Sequence, residues 1–253
     1  MLPRAPSFRL DQRRALVTGA GRGIGAAAAA ALADAGAAVT LVSRSVQELE
    51  AVAAELRQRG GQAQVLVLDV TDSASVTRSI AAQAPFDILV NSAGTNRPAL
   101  LTETRDEDLA AVLDLNVRST FLVCREIARG MIGAGRGGSI VTISSQMGHV
   151  GGPKRSVYCA TKHAMEGMSK ALAWELGPHN IRVNTLCPTF IETAMTAAML
   201  AEPAFLEFVQ SRTALGRVGR LDDVMGAVVF LASDAAALVT GSALMVDGGW
   251  TAA

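Results

Sequence analysis

The chain has 253 residues, 50% hydrophobic and 18% charged, which is enough apolar material for a sizeable core and too much for a disordered chain. Its 23 basic and 23 acidic side chains cancel, which argues against a nucleic-acid protein with its basic surplus and against an electrostatic hold on a membrane. No stretch reaches the roughly 20 uninterrupted apolar residues of a membrane helix; the start of the chain has no apolar signal segment, and Cys124, Cys159 and Cys187 form no CxxC pair, so the expectation is a reduced, soluble, cytoplasmic protein.

Short apolar runs alternate with longer helical segments. The first strand is predicted at Ala15–Thr18, followed by Thr18-Gly19-Ala20-Gly21-Arg22-Gly23-Ile24-Gly25 and a helix over 24–35. Glycines there allow a tight turn and bring backbone N–H groups against a pyrophosphate, with a helix N-terminus behind them. The spacing is Gly-x3-Gly-x-Gly, not Gly-x-Gly-x2-Gly, so the loop by itself is a weak signal; the strand before it and the helix after it strengthen it. The run Ala26–Ala31 reads as a helix lying close on a sheet.

A second strand, Ala38–Val42, runs into Ser43-Arg44-Ser45. An acid at this place would bind a ribose 2′-hydroxyl. None is present, and the Arg44 fork, the Ser43 hydroxyl and Arg22 in the glycine loop favour the 2′-phosphate of NADP over NAD. The plainer alternative is that both arginines are solvated loop residues.

Next come a helix at 46–59, a strand at Ala63–Leu68, a helix at 73–84 and a strand at Ile88–Asn91. That strand leads into Ser92-Ala93-Gly94, small enough to admit a nicotinamide or ribose. One long helix is predicted over 106–131, with Asn116 inside it. A strand at Ser139–Ser144 closes on Ser144-Ser145, where a hydroxyl beyond the strand end suits a developing oxyanion. The helix at 156–177 carries Tyr158, the chain's one tyrosine, and Lys162, one of three lysines. Residues four apart share a helix face, so phenol and ammonium converge, and the cation is expected to lower the phenol pKa toward general acid–base work. A half-buried Tyr on an ordinary amphipathic helix also fits that spacing alone.

A strand at Arg182–Leu186, helices at 195–212 and 222–232 and a strand at Ala243–Val246 complete the chain. The strands are continuous apolar runs, as in a sheet covered on both faces, and no linker or repeat divides 1–253. The expected fold class is α/β: one domain, a doubly wound parallel sheet with helices on both faces.

Together these residues resemble the short-chain dehydrogenase/reductase family over roughly 10–250. Thr18-Gly19-x3-Gly23-Ile24-Gly25 is similar to its cofactor loop, and Asn91-Ser92-Ala93-Gly94 to its Asn-Asn-Ala-Gly motif with Ser92 substituted. Asn116, Ser145, Tyr158 and Lys162 match its catalytic tetrad, and Asp69-Val70 its adenine-contacting pair. The resemblance implies a seven-stranded Rossmann sheet, a nicotinamide cofactor and a homotetramer. It further implies Tyr158 as acid/base, Ser145 as the group polarising a carbonyl, Lys162 on the ribose, and Asn116 on a water-linked proton path to Lys162. Pro188-Thr189-Phe190 departs from the expected Pro-Gly form, while Pro188, Ile191 and Thr193 still fit cofactor contacts. The ending Val246-Asp247-Gly248-Gly249 matches as well.

The substrate pocket is expected after Ser145 and after Pro188. Gln146 and His149 offer hydrogen bonds to hydroxyls, and Lys154 or Arg155 a hold on a carboxylate. Thr189 and Phe190, with Met195 and Met199, would form its opposite, lid-like side; simple packing is the alternative. A polar pocket favours a sugar, polyol or keto-deoxy sugar acid, and the whole chain resembles gluconate- and sugar-dehydrogenase-like members. A 3-oxoacyl-thioester reductase is the alternative enzyme, with Arg125 and Arg129 facing an acidic carrier protein. A cofactor-binding sensor without turnover is the alternative of another class, disfavoured by the four tetrad residues occurring together. No metal ligand set is expected.

Overall fold

The computed structural model describes residues 2–252; Met1 and Ala253, the ends of the expected 1–253 domain, lie outside the described residues. Seven strands, β1 (Arg14–Thr18), β2 (Ala38–Ser43), β3 (Gln62–Val67), β4 (Ile88–Asn91), β5 (Gly138–Ile143), β6 (Ile181–Pro188) and β7 (Ala243–Val246), form one parallel sheet in the order β3-β2-β1-β4-β5-β6-β7. All seven predicted strands are present with ends moved by two residues at most. The order reverses between β1 and β4, and ligands of such sheets bind in the crevice outside the carboxyl ends there.

Successive strand residues point to opposite faces, and both faces are buried. Val17, Val90, Val141 and Leu186 meet α1 (Gly23–Asp34), α2 (Val46–Gln58) and α9 (Leu221–Ala232). Leu16, Leu89, Ile140 and Val183 meet α3 (Ser73–Ala81), α5 (Ser119–Ala134) and α6 (Ser156–Leu176). This double burial is why the central strands read as unbroken apolar runs. The edges differ: in β3, Gln62 and Gln64 are exposed about a buried Ala63, so the edge strand alternates. Ala27, Ala28, Ala29 and Ala31 of α1 are buried, and their small side chains let α1 lie close against the sheet and α9. No helix among the described residues is long and apolar enough to cross a membrane.

Two predicted helices are corrected. The segment 106–131 is not one regular helix: α4 (Asp106–Leu113) passes through a single π turn at Asp114–Arg118 into α5, which ends at a left-handed Gly135. The wider turn accompanies a fully buried Asn116 side chain whose hydrogen bonds reach outside the helix. The segment 195–212 is two helices, α7 (Ala197–Leu200) and α8 (Pro203–Arg212). Pro203 has no N–H to give and forces Glu202 into an extended conformation, which breaks the run.

Candidate active site

Thr18, the last residue of β1, accepts hydrogen bonds on Oγ1 from the backbone N–H groups of Ser92 and Ala93, at 3.1 Å each. The loops after β1 and β4 are thereby tied together where the strand order reverses. A Cβ on Gly19 would lie 2.9 Å from the Ala93 backbone, and one on Gly25 would lie 2.1 Å from the Gly19 carbonyl oxygen. Gly19 and Gly23 also have left-handed backbones, with φ of +66° and +58°. The loop therefore presents bare backbone, and α1 starts without a side-chain cap, leaving N–H groups for an anion. It floors a cleft of about 640 Å³ along the carboxyl ends of the strands.

At one end of this cleft stand Ser43 and Arg44, with Asp69 and Val70 across from them. Asp69 is held below the usual carboxylate range, first by the Thr71 backbone N–H at 3.0 Å, then by the Thr71 hydroxyl at 2.7 Å and the charge of Arg44. Arg44 is exposed. Arg22 is paired, 3.3 Å from Glu48 Oε1. Glu48 also lines the cleft, and the sequence reading missed it. Its signal was Ser45-x-x-Glu48, a capping-box spacing that predicts the glutamate bending back toward Ser45. Ser45 does cap α2 by accepting the Glu48 N–H, but the Ser45 N–H goes to Ser43 Oγ at 3.2 Å. The carboxylate is thus left to reach over the glycine loop to Arg22.

The four tetrad candidates come together farther along the crevice. Ser145 follows β5, donates to Gln146 Oε1 and accepts the Met147 N–H, both at 3.1 Å. Lys162 is buried; its Nζ donates to the Ile143 carbonyl at 2.9 Å and lies 5.4 Å from the Tyr158 ring centroid. Asn116 exchanges two hydrogen bonds with the Thr95 backbone, at 2.8 and 2.9 Å, and donates to Thr161 Oγ1 at 3.1 Å. Thr161 in turn donates to the Tyr158 carbonyl, so the π turn is latched to the helix that carries the phenol.

One electrostatic expectation is reversed. Burial pushes the Tyr158 phenol up to about 12, against the opposing pulls of the Ser145 hydroxyl and the Arg155 charge. The Lys162 ammonium is turned to the Ile143 carbonyl instead of the phenol oxygen, so desolvation dominates. Lys162 itself is pushed down to about 8 by burial, with Cys187 and the Glu166 carboxylate resisting.

Several predicted contacts lie elsewhere. Asn91 is buried and donates to Cys124 Sγ at 3.1 Å, away from the cleft. Pro188 is strand residue and Ile191 is buried beside Gly219, so they brace the wall while Thr193, with Ala194 and Met195, reaches the cleft. Gln146 is buried against Ser145. His149 is exposed and is not among the cleft-lining residues; its Nε2 lies 3.5 Å from Cys187 Sγ and 3.7 Å from Glu166 Oε1. Phe190 packs edge-on to Phe205 at 5.3 Å and against Trp250 at 5.6 Å, because a ring beside other aromatics gains more from burial than from a polar cleft. The Thr189 N–H pairs with the Val246 carbonyl, and its Oγ1 is buried without a partner among the described residues. Arg155 is buried near Tyr158.

A parallel sheet of this order, with an open phosphate cradle at its switch point, is a Rossmann-type dinucleotide-binding fold. The chain belongs to the short-chain dehydrogenase/reductase family of oxidoreductases: the family model described as Enoyl-(Acyl carrier protein) reductase matches residues 19–251. It is 39% identical over 248 residues to gluconate 5-dehydrogenase of Gluconobacter oxydans, covering 96% of each chain. It is 40% identical over 245 residues to D-erythrulose reductase of Gallus gallus, covering 97% of this chain and 98% of that one. The crystal structure of a gluconate 5-dehydrogenase from Burkholderia cenocepacia in complex with NADP and tartrate superposes with a TM-score of 0.94 at 38% identity, covering 97% of this chain and 98% of that one.

Proposed function

We propose that this protein is an NADP(H)-dependent oxidoreductase that moves a hydride between the cofactor and a secondary alcohol or ketone of sugar, polyol or sugar-acid type, as a cytoplasmic homotetramer. The observation that carries the reading is the single cleft that joins the bare glycine cradle to Tyr158 and Lys162. The cradle, the uncapped start of α1 and Arg44 at the end of β2 fit a dinucleotide bearing a 2′-phosphate. Bound there, the nicotinamide ring is the hydride donor or acceptor. Ser145 donates a hydrogen bond to the substrate oxygen, and Tyr158 gives or takes its proton. Lys162 holds the ribose hydroxyls, and Asn116 keeps the Tyr158 helix in place. The phenol gives its proton to a carbonyl oxygen in reduction and takes the alcohol proton in oxidation, so the one group serves both directions.

Support for self-association comes from exposed apolar side chains: Leu109 and Leu113 on α4, Phe121 on α5, and Trp174 on α6 at 87% exposure. Three free cysteines suit a reducing compartment.

The test is absorbance at the reduced-nicotinamide band, with the NADP and NAD couples in parallel: the oxidised forms with aldonates, sugars and polyols, the reduced forms with keto sugars, keto acids and 3-oxoacyl thioesters. Turnover of a sugar-type compound with NADP is the expected result. Silence across the panel with tight cofactor binding would overturn the reading and favour a sensor. Arg44→Asp is expected to lower kcat/KM for NADP by about 10- to 100-fold, the worth of a charge-assisted hydrogen bond, while NAD is affected little. An unchanged preference would move the 2′-phosphate site elsewhere.

Glu166 sets the alkaline limit in this scheme. Its charge helps hold the Lys162 ammonium, whose pKa is about 8, protonated. Glu166→Gln keeps a partner for the Thr185 hydroxyl, 2.8 Å away, but removes that charge. The Lys162 pKa then falls, and the alkaline limb of the kcat/KM profile moves to lower pH. A profile that stays in place would remove Glu166 from this role.

A further inference from the structure

We propose that Arg155 forms a carboxylate-binding subsite beside Tyr158, so that the substrate is an aldonate or a related hydroxy or keto acid, not a neutral polyol and not an acyl thioester. This rests on the hydride-transfer reading above and narrows its substrate.

Arg155 immediately precedes α6, three residues before Tyr158, a spacing that makes neighbours of two side chains at the start of a helix. It is 8% exposed. Its guanidinium has two polar contacts, Nη1 to the Lys154 carbonyl at 3.5 Å and Nη2 to Met199 Sδ at 3.1 Å. The first is at the limit of a hydrogen bond, and a thioether is a weak acceptor. Its five N–H donors thus meet two weak acceptors, and no carboxylate pairs with it among the described residues.

Other arginines in this chain show the usual solution. Arg136 meets the buried Asp87 at 2.9 Å, and Arg125 and Arg129 share the buried Glu126. Arg182 is the exception: its Nη2 donates to the Ser233 carbonyl at 3.0 Å, while its buried Nη1 has no partner among the described residues. For Arg155, burial pushes the pKa down, and the groups that favour its charged form are Tyr158 and Cys159, neither of which is ordinarily charged. A buried charge without a partner is costly, and structure alone gives no reason to keep it. Nor does the side chain cap α6.

A substrate carboxylate supplies what is missing. The planar guanidinium matches it with two parallel hydrogen bonds, and the first N–H groups of the 21-residue α6 add partial positive charge on the same side. The flexible Met199 side chain, on α7 just beyond the cleft residues Thr193 to Met195, can yield its place. Arg155 stands three residues before Tyr158 at the start of α6, so a carboxylate held by it would lie on the Tyr158 side of the substrate. A 3-oxoacyl thioester carries no charge there and would leave the guanidinium desolvated.

The experiment compares acid and neutral partners of one carbon skeleton, D-gluconate with D-glucitol and D-threonate with D-threitol, on the NADP-saturated protein. It measures kcat/KM for each and, independently of turnover, calorimetric binding. The wild type is expected to prefer the acids. Arg155→Gln is expected to reduce the acid-to-neutral ratio by about 100-fold, as loss of a paired charge-assisted contact does, chiefly through KM. Arg155→Lys, which keeps the charge but not the fork, recovers part of it and serves if the glutamine variant fails to fold. A wild type indifferent to the carboxylate, or a ratio unchanged by both variants, would overturn the subsite. If no hydride transfer is seen with any compound, the reading under Proposed function falls, whereas Arg155-dependent binding of gluconate sustains the subsite and its absence sinks it too.

Discussion

Tyr158→Phe is expected to lower kcat/KM by about 10³-fold, within the range that a positioned general acid or base contributes, with the NADP dissociation constant little changed. The substitution removes one hydroxyl and keeps the ring that lies 5.4 Å from the Lys162 ammonium, so packing of the α6 helix survives. No second phenol can take over, since Tyr158 is the chain's single tyrosine. Ser145 remains to polarise the substrate oxygen but has no proton of suitable acidity to give. Parallel measurement of steady-state rates and of NADP binding by fluorescence or calorimetry checks both halves. A variant that retains full turnover would remove Tyr158 from the chemistry. A variant that loses cofactor binding as well would make it a structural residue.

The second large effect is steric. Gly25→Ala is expected to abolish measurable NADP binding and to destabilise the fold by about 1–3 kcal/mol, the usual cost of overpacking. The new methyl would sit 2.1 Å from the Gly19 carbonyl oxygen and 2.7 Å from its carbon. Neither atom can swing aside as a side-chain end would. Gly19 is itself pinned, with a positive φ and its own Cβ position blocked by the Ala93 backbone. Relief therefore requires moving the whole turn that offers N–H groups to a phosphate. Gly133→Ala is the control: it lies at an exposed position of α5, where a Cβ meets nothing within 4 Å, and helix propensity predicts a gain of about 0.5–1 kcal/mol. Thermal unfolding and cofactor titration of the two variants separate the loop-specific effect from a general response to losing a glycine. Equal behaviour of the two would remove the steric argument.

Much of the molecule was legible along the chain because it depends on short-range pattern. All seven strands could be found from apolar runs of strand length, and the glycine loop from its place between a strand and an Ala-rich helix. Tyr158 and Lys162 could be paired because one helical turn brings them to one face. Residues whose behaviour depends on partners from distant elements were not legible in this way. His149, a candidate substrate ligand, lies instead against Cys187 from β6 and Glu166 from α6. Glu48 enters the cleft because Ser43 takes the N–H that a capping box would have given it. The π turn at Asn116 follows from bonds to Thr95 and Thr161, which no helix periodicity encodes.

The same division runs through the electrostatics. Spacing alone put an ammonium next to a phenol and implied an acidic tyrosine; the fold buries both, directs the ammonium to the Ile143 carbonyl, and leaves the phenol near 12. Arg155 reads in sequence, beside Lys154, as a hold on a carboxylate or as a solvated loop residue, and tertiary packing decides between these by burying it without an acidic partner among the described residues. The sequence by itself thus determined the α/β class, the strand and helix order and the composition of the site, because backbone period, glycine placement and residue type are local properties. Which side chains face the cleft, which lie behind it and how their charges are shifted was decided by the tertiary structure, because desolvation and hydrogen bonding depend on neighbours that the chain brings together only when folded.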